Sequence, residues 1–298
     1  MLVDVLKSNR PKLSESTLRT YQSILNSLYR KLHKQENGNA DAIYNYFTDH
    51  AETVLEFLKD SPPNNRKTIL AALVVLCIGQ ECADKYRNQM LKDAEVANKE
   101  QRLQRKTDNQ SDSWISQKDV LRIYKTLERK VAPLFRLTSP SRKDLDAMQD
   151  YVILSLYVLI PPRRLMDYTQ FKVRNIEKTT DNYMDKRDFV FNKYKTAKKY
   201  NTQEVAIPQK LRNIVTKWAS MHDNDYLLVD DNGKPFSAPK LTLRLNRIFG
   251  GRKISVNQLR HTYITDTVLN NVPALTRLDQ VARDMGHSME EAMLYKKI

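Results

Sequence analysis

Residues 156–173 read LYVLIPPRRLMDYTQFKV, and this stretch decides how the larger part of the chain folds. Its apolar beginning is typical of a buried helix. Pro161 and Pro162 end that helix, because proline has no amide hydrogen and disfavours a helical residue before it. Arg163 and Arg164 are then delivered at the start of the next helix. Their guanidinium groups are forks of donors that match phosphate oxygens, although two arginines after prolines are more often a solvated helix start.

The C-terminal forty residues carry a second group of phosphate-binding residue types. Asn257-Gln258-Leu259-Arg260-His261-Thr262 is followed by Met285-Gly286-His287-Ser288 and then by Tyr295. An arginine, a histidine and a late tyrosine on this spacing would be able to converge on one phosphodiester. Transesterification needs these types, because it requires a nucleophile and cations that hold the charge developing on the phosphoryl oxygens. Taken singly, each is more often a packed or solvated residue.

Between the two arginine motifs the sequence predicts a β-hairpin. Phe189 and Phe191 alternate with other residues, and Val205 and Ile207 follow after a polar, lysine-rich segment. That segment contains Lys195, which would supply an acid for a leaving alkoxide. An exposed basic turn is the alternative interpretation.

Helical periodicity dominates the rest of the chain. A serine- or threonine-capped helix is predicted after residue 14, a second helix over residues 41–59, which Pro62 ends, and a third, buried helix over residues 66–80. We therefore predict a small helical domain over residues 1–98, a basic polar linker over 99–113 and a larger, mostly helical domain over 114–298. The fold class is mainly α, with one small antiparallel β-sheet in the second domain.

Composition narrows the class of partner. The 298 residues include 50 Lys plus Arg against 35 Asp plus Glu, a formal charge of +15, which favours a polyanionic partner. No apolar run is long enough for a membrane span, and the first ten residues lack a signal-peptide core. Six glycines and the absence of a phosphate-binding glycine motif argue against ATP-driven chemistry. The two cysteines, Cys77 and Cys82, suit buried thiols better than a zinc site or disulfides, so we expect an intracellular protein without a metal or other cofactor.

Taken in order, these motifs resemble those of the tyrosine recombinases, the lambda-integrase family of phage and mobile-element integrases. Arg164 with Asp167 resembles the first arginine box, residues 259–262 its Leu-Arg-His-Thr core, and residues 285–288 its Leu-Gly-His-Ser. Residues 195–198 resemble its Lys-Thr-Gly-Lys hairpin, and residues 13–21 the start of its core-binding domain. Two prolines replace the Thr-Gly that usually precedes the first arginine, so the register of that box leaves Arg163 as an alternative to Arg164.

The resemblance implies a role for each matching position. Tyr295 would form a 3′-phosphotyrosyl bond, Arg164 and Arg260 would hold the scissile phosphate, and His287 would hydrogen-bond it. Lys195 would protonate the leaving 5′-oxygen, with Lys198 or Lys199 next in line, and Asp167 would act from behind the arginines. Asn257 stands where the family often has histidine. The interval from His287 to Tyr295 is one residue shorter than usual, which on a helix turns a side chain by about 100°.

The resemblance also implies partners. We expect double-stranded DNA recombination sites, a homotetramer on two sites, no membrane, and a location wherever the DNA resides, in host cytoplasm or nucleus. Two alternatives are a type IB topoisomerase and a catalytically impaired DNA-binding protein of the same fold. Phosphate contacts, which position DNA without reading its sequence, are expected from Arg19, Arg30, Lys31, Lys99, Arg102, Arg105, Lys106, Lys198 and Lys199.

Overall fold

The computed structural model describes residues 2–102 and 111–268 of the chain. The chain divides into two compact units, Met1–Lys106 and Thr107–Ile298. None of the described helices is long and apolar enough to cross a membrane.

The first unit is helical throughout its described part. Its core collects one apolar face from each helix, with Leu25, Phe47 and Leu70 fully buried. Ser14 caps the second helix by accepting a hydrogen bond from the Thr17 amide. The helices are α1 (Leu2–Asn9), α2 (Glu15–Leu32), α3 (Ala40–Asp49), α4 (Ala51–Leu58), α5 (Pro63–Leu76) and α6 (Cys82–Arg102).

The single helix predicted over residues 41–59 is wrong, because the structure has two helices there. His50 leaves the helical conformation, with φ −119° and ψ 38°, and serves both as the C-cap of α3 and the N-cap of α4. Its amide still donates to the Tyr46 carbonyl. The backbone groups therefore stay paired across the break, and the apolar spacing on each side resembles that of one helix.

The second unit is built around one buried helix. Its elements are α7 (Gln117–Val131), a 3₁₀ turn (Leu134–Arg136), α8 (Arg142–Val158), α9 (Met166–Thr169), β1 (Phe171–Lys172), β2 (Asn182–Asp185), β3 (Asp188–Phe191), α10 (Ala197–Tyr200), β4 (Gln203–Ala206), α11 (Gln209–Ala219), α12 (Ala238–Ile248), α13 (Val256–Tyr263) and a π turn (Ile264–Val268). Helix α8 packs against α7, α11 and α12, and its second half is buried on every side. A reciprocal cap at its start, between Ser141 and Asp144, fixes where it begins.

The sheet has strand order β1-β2-β3-β4. The predicted hairpin is confirmed, because β3 and β4 pair antiparallel with Phe191 opposite Gln203. The expectation of an antiparallel sheet needs one correction, since β1 and β2 are parallel, with Phe171 opposite Asn182. A two-residue strand such as β1 has no alternation from which its direction is readable in sequence.

Aromatic rings join this sheet to the helices. Phe171 and Phe189 meet edge to face, with centroids 4.9 Å apart, and Tyr168 packs against both. Such edge contacts are favoured by the ring quadrupole. The short helix α9, which carries Tyr168, is thereby held on the sheet.

His222, after α11, introduces a pH dependence into the second unit. The pKa of this imidazole is lowered from 6.5 to about 4, chiefly by burial and also by the charge of Arg174, against the opposing effect of Asp223. Its Nδ1 accepts a hydrogen bond from the Asn224 amide at 3.2 Å, an interaction that protonation of Nδ1 abolishes.

The free energy of unfolding of this unit should therefore fall as the pH drops from 6.5 towards 4, because the unfolded chain binds the proton first. His222→Gln should flatten this dependence, whereas exposed His261→Gln should not. Urea unfolding at several pH values tests this, followed by fluorescence of Trp114 and Trp218, the chain's two tryptophans. Parallel pH profiles for the wild type and His222→Gln would contradict it.

Candidate phosphate site

One buried carboxylate in the second unit pairs with one arginine and is within electrostatic range of two others. Asp167, on α9, is 3% exposed. Arg163 donates from Nε to its Oδ2 at 2.8 Å, and that arginine side chain is itself only 17% exposed. Burial raises the pKa of Asp167, whereas the positive charges of Arg163, Arg164 and Arg260 each lower it. All three guanidinium groups therefore lie within electrostatic range of one carboxylate.

Chain geometry explains how the first two arginines reach this place. Helix α8 ends at Val158, Pro161 and Pro162 hold the chain out of helix, and α9 begins only at Met166. The arginines thus lie just before α9 rather than within its first turn. Arg163 is committed to Asp167, whereas the guanidinium of half-buried Arg164 makes no hydrogen bond or ion pair with any described residue.

The third arginine comes from α13, almost one hundred residues later in the chain. Ser255 caps this helix by accepting from the Gln258 amide at 3.1 Å, and Val256, Leu259 and Thr262 form its buried face. Asn257 and Arg260 lie on the opposite side of the helix, where Arg260 Nη1 is 3.5 Å from the Asn257 side-chain oxygen.

The N-terminus of α7 is tied to the same region. Thr262 Oγ1 donates to the Ile115 carbonyl at 2.8 Å, and the Asp266 carboxylate accepts from the Gln117 amide at 2.8 Å. These bonds link residues about 150 positions apart and fix the orientation of the end of α13, which carries Arg260.

Asn182 connects α9 with the end of the hairpin. Its side chain is 1% exposed and uses all of its hydrogen-bonding capacity. Nδ2 donates to the carbonyls of Asp167 and Lys193, at 2.9 and 2.7 Å, and Oδ1 accepts from the amides of Asn192 and Lys193, at 2.8 and 2.7 Å. One side chain therefore fixes the backbone that leads to Lys195 against the helix that carries Asp167.

The lysines of this loop differ in their environment. Lys193 pairs with Asp181 at 3.3 Å, and Asp181 also binds Lys172 at 3.0 Å. Lys195 and Lys198 are exposed and make no hydrogen bond or ion pair with the described residues. Lys199 lies in α10, and nothing is described of its side chain.

Of the residues predicted from sequence, the structure brings together Arg164, Asp167, Asn257 and Arg260. Lys195 lies on the loop that Asn182 attaches to this group. His287 and Tyr295 fall outside the described residues, as do Arg105 and Lys106. The sequence interpretation missed Asn182 and Gln203. In the structure the hairpin pairs Gln203 with Phe191, so the predicted hairpin was a signal from which Gln203 could have been found. A lone Asn182 in a short strand gave no such signal.

The first unit carries the remaining predicted DNA contacts. Arg19, Arg30 and Lys31 are exposed on α2, and Lys99 is exposed on α6, whose last residue is Arg102. A shallow groove of about 520 Å³ runs along α2 and is lined only by polar residues, namely Arg19, Gln22, Ser23, Asn26, Ser27 and Arg30.

Comparison with known proteins gave matches among solved structures alone. No protein-family model matches the chain, and no curated protein is similar to it in sequence. A XerA recombinase aligns over 94% of both chains with 13% identity and a TM-score of 0.38. A lambda integrase dimer bound to a COC′ core site aligns over 99% of this chain and 76% of its own, with 14% identity and a TM-score of 0.47.

A second structure, a lambda integrase(75-356) dimer bound to a COC′ core site, aligns over 99% of this chain and 95% of its own, with 15% identity and a TM-score of 0.46. Each of these TM-scores lies below 0.5. The function proposed below therefore rests on the geometry of the site and on the motifs in the sequence.

Asn182→Ala should lower the free energy of unfolding of the second unit by about 2–4 kcal/mol, because four backbone groups lose the buried side chain that pairs with them. Asn213→Ala, on the exposed face of α11, is the matched control and should change it little. Urea denaturation followed by tryptophan fluorescence measures both variants. Equal stabilities would show that Asn182 does not hold the loop.

Proposed function

We propose that the chain is a site-specific tyrosine recombinase that cleaves and rejoins DNA strands through a 3′-phosphotyrosyl intermediate. The observation that carries this proposal is that arginines from two separate motifs act on one buried carboxylate: Arg163 binds Asp167, and the charges of Arg164 and Arg260 lower its pKa. Three guanidinium groups around one carboxylate leave an excess of positive charge. A phosphodiester is an anion whose oxygens accept hydrogen bonds from arginine forks such as those of Arg164 and Arg260.

In this mechanism Arg164 and Arg260 hold the non-bridging oxygens of the scissile phosphate. Their charge stabilises the transition state, because more negative charge develops on those oxygens as the nucleophile attacks. Asp167 keeps the arginines from repelling one another before DNA binds. Asn257, next to Arg260, is placed to donate a hydrogen bond to the phosphate but is a poor proton carrier. His287 takes the role of a further donor.

Tyr295 is the proposed nucleophile. Its phenol passes its proton to water and the oxygen forms a bond to phosphorus, while the bond from phosphorus to the 5′-oxygen breaks and Lys195 gives a proton to that oxygen. The phosphotyrosine conserves the energy of the broken bond. A 5′-hydroxyl of a second strand then reverses the step and rejoins DNA, so neither ATP nor a metal ion is required.

The DNA partner is supported by charge as well as by the site. The formal charge of +15 and the polar, arginine-flanked groove on α2 suit a duplex backbone. We propose that the first unit binds DNA beside the cleavage point and that four copies act on two sites, as the resemblance to integrases implies. The element of origin is proposed to be a virus or another mobile element.

Wild-type protein should form a denaturant-resistant covalent adduct with a pool of nicked duplexes randomised around the nick, because the short leaving strand diffuses away and traps the intermediate. Tyr295→Phe should form none, and Tyr263→Phe is the matched control, since Tyr263 belongs to the structural helix α13. Sequencing the recovered adducts would reveal the target site.

Absence of an adduct with the wild type, or an equal amount with Tyr295→Phe, would refute the catalytic assignment and leave a DNA-binding protein. Relaxation of any supercoiled plasmid without joining of two sites would identify a type IB topoisomerase instead.

Lys195→Ala should slow cleavage of ordinary DNA by at least about 100-fold, the contribution typical of a general acid. In a substrate with sulfur in place of the 5′-bridging oxygen, the sulfur leaves without protonation. Lys195→Ala should therefore cleave this substrate at the wild-type rate. Single-turnover cleavage of the two substrates measures this, with Lys198→Ala as the control. Equal slowing on both substrates would move the general-acid role to Lys198 or Lys199.

A further inference from the structure

Arg163 makes more contacts than either arginine proposed to bind phosphate. Its guanidinium Nε donates to Asp167 Oδ2 on α9 at 2.8 Å. Its Nη2 donates to Gln203 Oε1 on β4 at 3.0 Å. Its flat face lies over the ring of Phe191 on β3, with Cζ 3.9 Å from the centroid. Three elements of the second unit therefore meet at one side chain.

Arg163 contacts the hairpin at the last residue pair of its two strands. Phe191 and Gln203 are directly opposite each other and form the last residue pair before the strands separate into the connecting loop. Side chains of such a pair project from the same face of the sheet. Arg163 thus holds both strands at the base of the loop, which is where the direction of the loop is set.

The loop beyond this pair leads directly to Lys195. Tyr194, its neighbour, lies beside the same guanidinium, 5.6 Å from Cζ to the ring centroid. The Tyr194 hydroxyl donates to the Asn201 carbonyl at 2.6 Å, and Thr202 Oγ1 donates to Asn192 Oδ1 at 2.7 Å, so the two limbs of the loop are also tied across. Lys195 extends from a loop whose base and first limb both contact Arg163.

We propose that Arg163 is a positioning residue for Lys195: it holds the hairpin loop against the helix start that carries Arg164 and Asp167, and it does not itself bind the phosphate. The inference rests on the function proposed above. An arginine is required here because a lysine ammonium is a single point charge that does not reach two acceptors on different elements while stacking on a ring. Arg163 is therefore committed to protein contacts, and its neighbour Arg164 remains for DNA.

The experiment compares cleavage of oxygen-bridged and 5′-sulfur-bridged suicide duplexes under single-turnover conditions. Misplacing a catalytic group by about 1 Å costs up to about 100-fold in rate. Arg163→Ala and Arg163→Lys should therefore both slow cleavage of the oxygen substrate by roughly 10- to 100-fold, yet cleave the sulfur substrate at nearly the wild-type rate. Combining Arg163→Ala with Lys195→Ala should be no slower than Lys195→Ala alone, because both act on one proton transfer.

Gln203→Ala serves as a second variant, since it removes only the contact with β4 and leaves the pair with Asp167. It should show the same selective slowing of the oxygen substrate. Glu204→Ala, the exposed neighbour on the opposite face of β4, and Arg187→Ala, an exposed arginine before β3, are the matched controls. Gln203→Ala decides the question if the Arg163 variants fail to fold, as judged by circular dichroism.

Equal slowing on both substrates, or rescue by Arg163→Lys, would overturn the inference, because a direct phosphate contact or a simple charge effect predicts those results. Failure of the proposed function looks different. In that case the wild type forms no adduct, or Lys195→Ala fails to distinguish the two substrates.

Discussion

A carboxylate removed from water among three guanidinium groups is the constraint on which the rest of the site depends. Burial of Asp167 raises its pKa, which disfavours the charged carboxylate. The positive charges of the arginines oppose this effect by lowering the pKa. The dependence is mutual, since Arg163, Arg164 and Arg260 would repel one another without it. A short helix of four residues has little stability of its own. The ion pair between Arg163 and Asp167 and the rings around Tyr168 hold it in place.

The same constraint makes the second unit cooperative around its site. The charge of Arg260 on α13 acts on Asp167, Asn182 of β2 binds its carbonyl, and Arg163, in the proline-broken segment after α8, joins its carboxylate to the hairpin. Removing one partner leaves buried charge or amide groups without hydrogen bonds, which costs more than the lost contact alone. One polar network therefore connects the arginines proposed to bind phosphate with the loop that carries Lys195, the proposed proton donor.

Several elements of this arrangement were predictable from sequence, because their positions depend on residues that are close together in the chain. Apolar spacing and a serine cap located α2, strand alternation located the confirmed hairpin, and proline chemistry located the break before Arg163. Long-range effects were not predictable. The break at His50 keeps its backbone bonds, the direction of β1 depends on its partner strand, and the buried role of Asn182 depends on four backbone groups from other segments.

Arg163 and Arg164 illustrate why motif spacing alone left their register open. Two adjacent arginines are chemically identical, and either would lie near a carboxylate three or four residues later. Consecutive side chains nevertheless leave the backbone in different directions, so only one of them faces the sheet. Arg163 is the one that meets Phe191 and Gln203, and this desolvated, stacked environment holds it in a single geometry. Among the described residues the guanidinium of the adjacent Arg164 has no hydrogen-bond partner, which is the property that an anion-binding group requires.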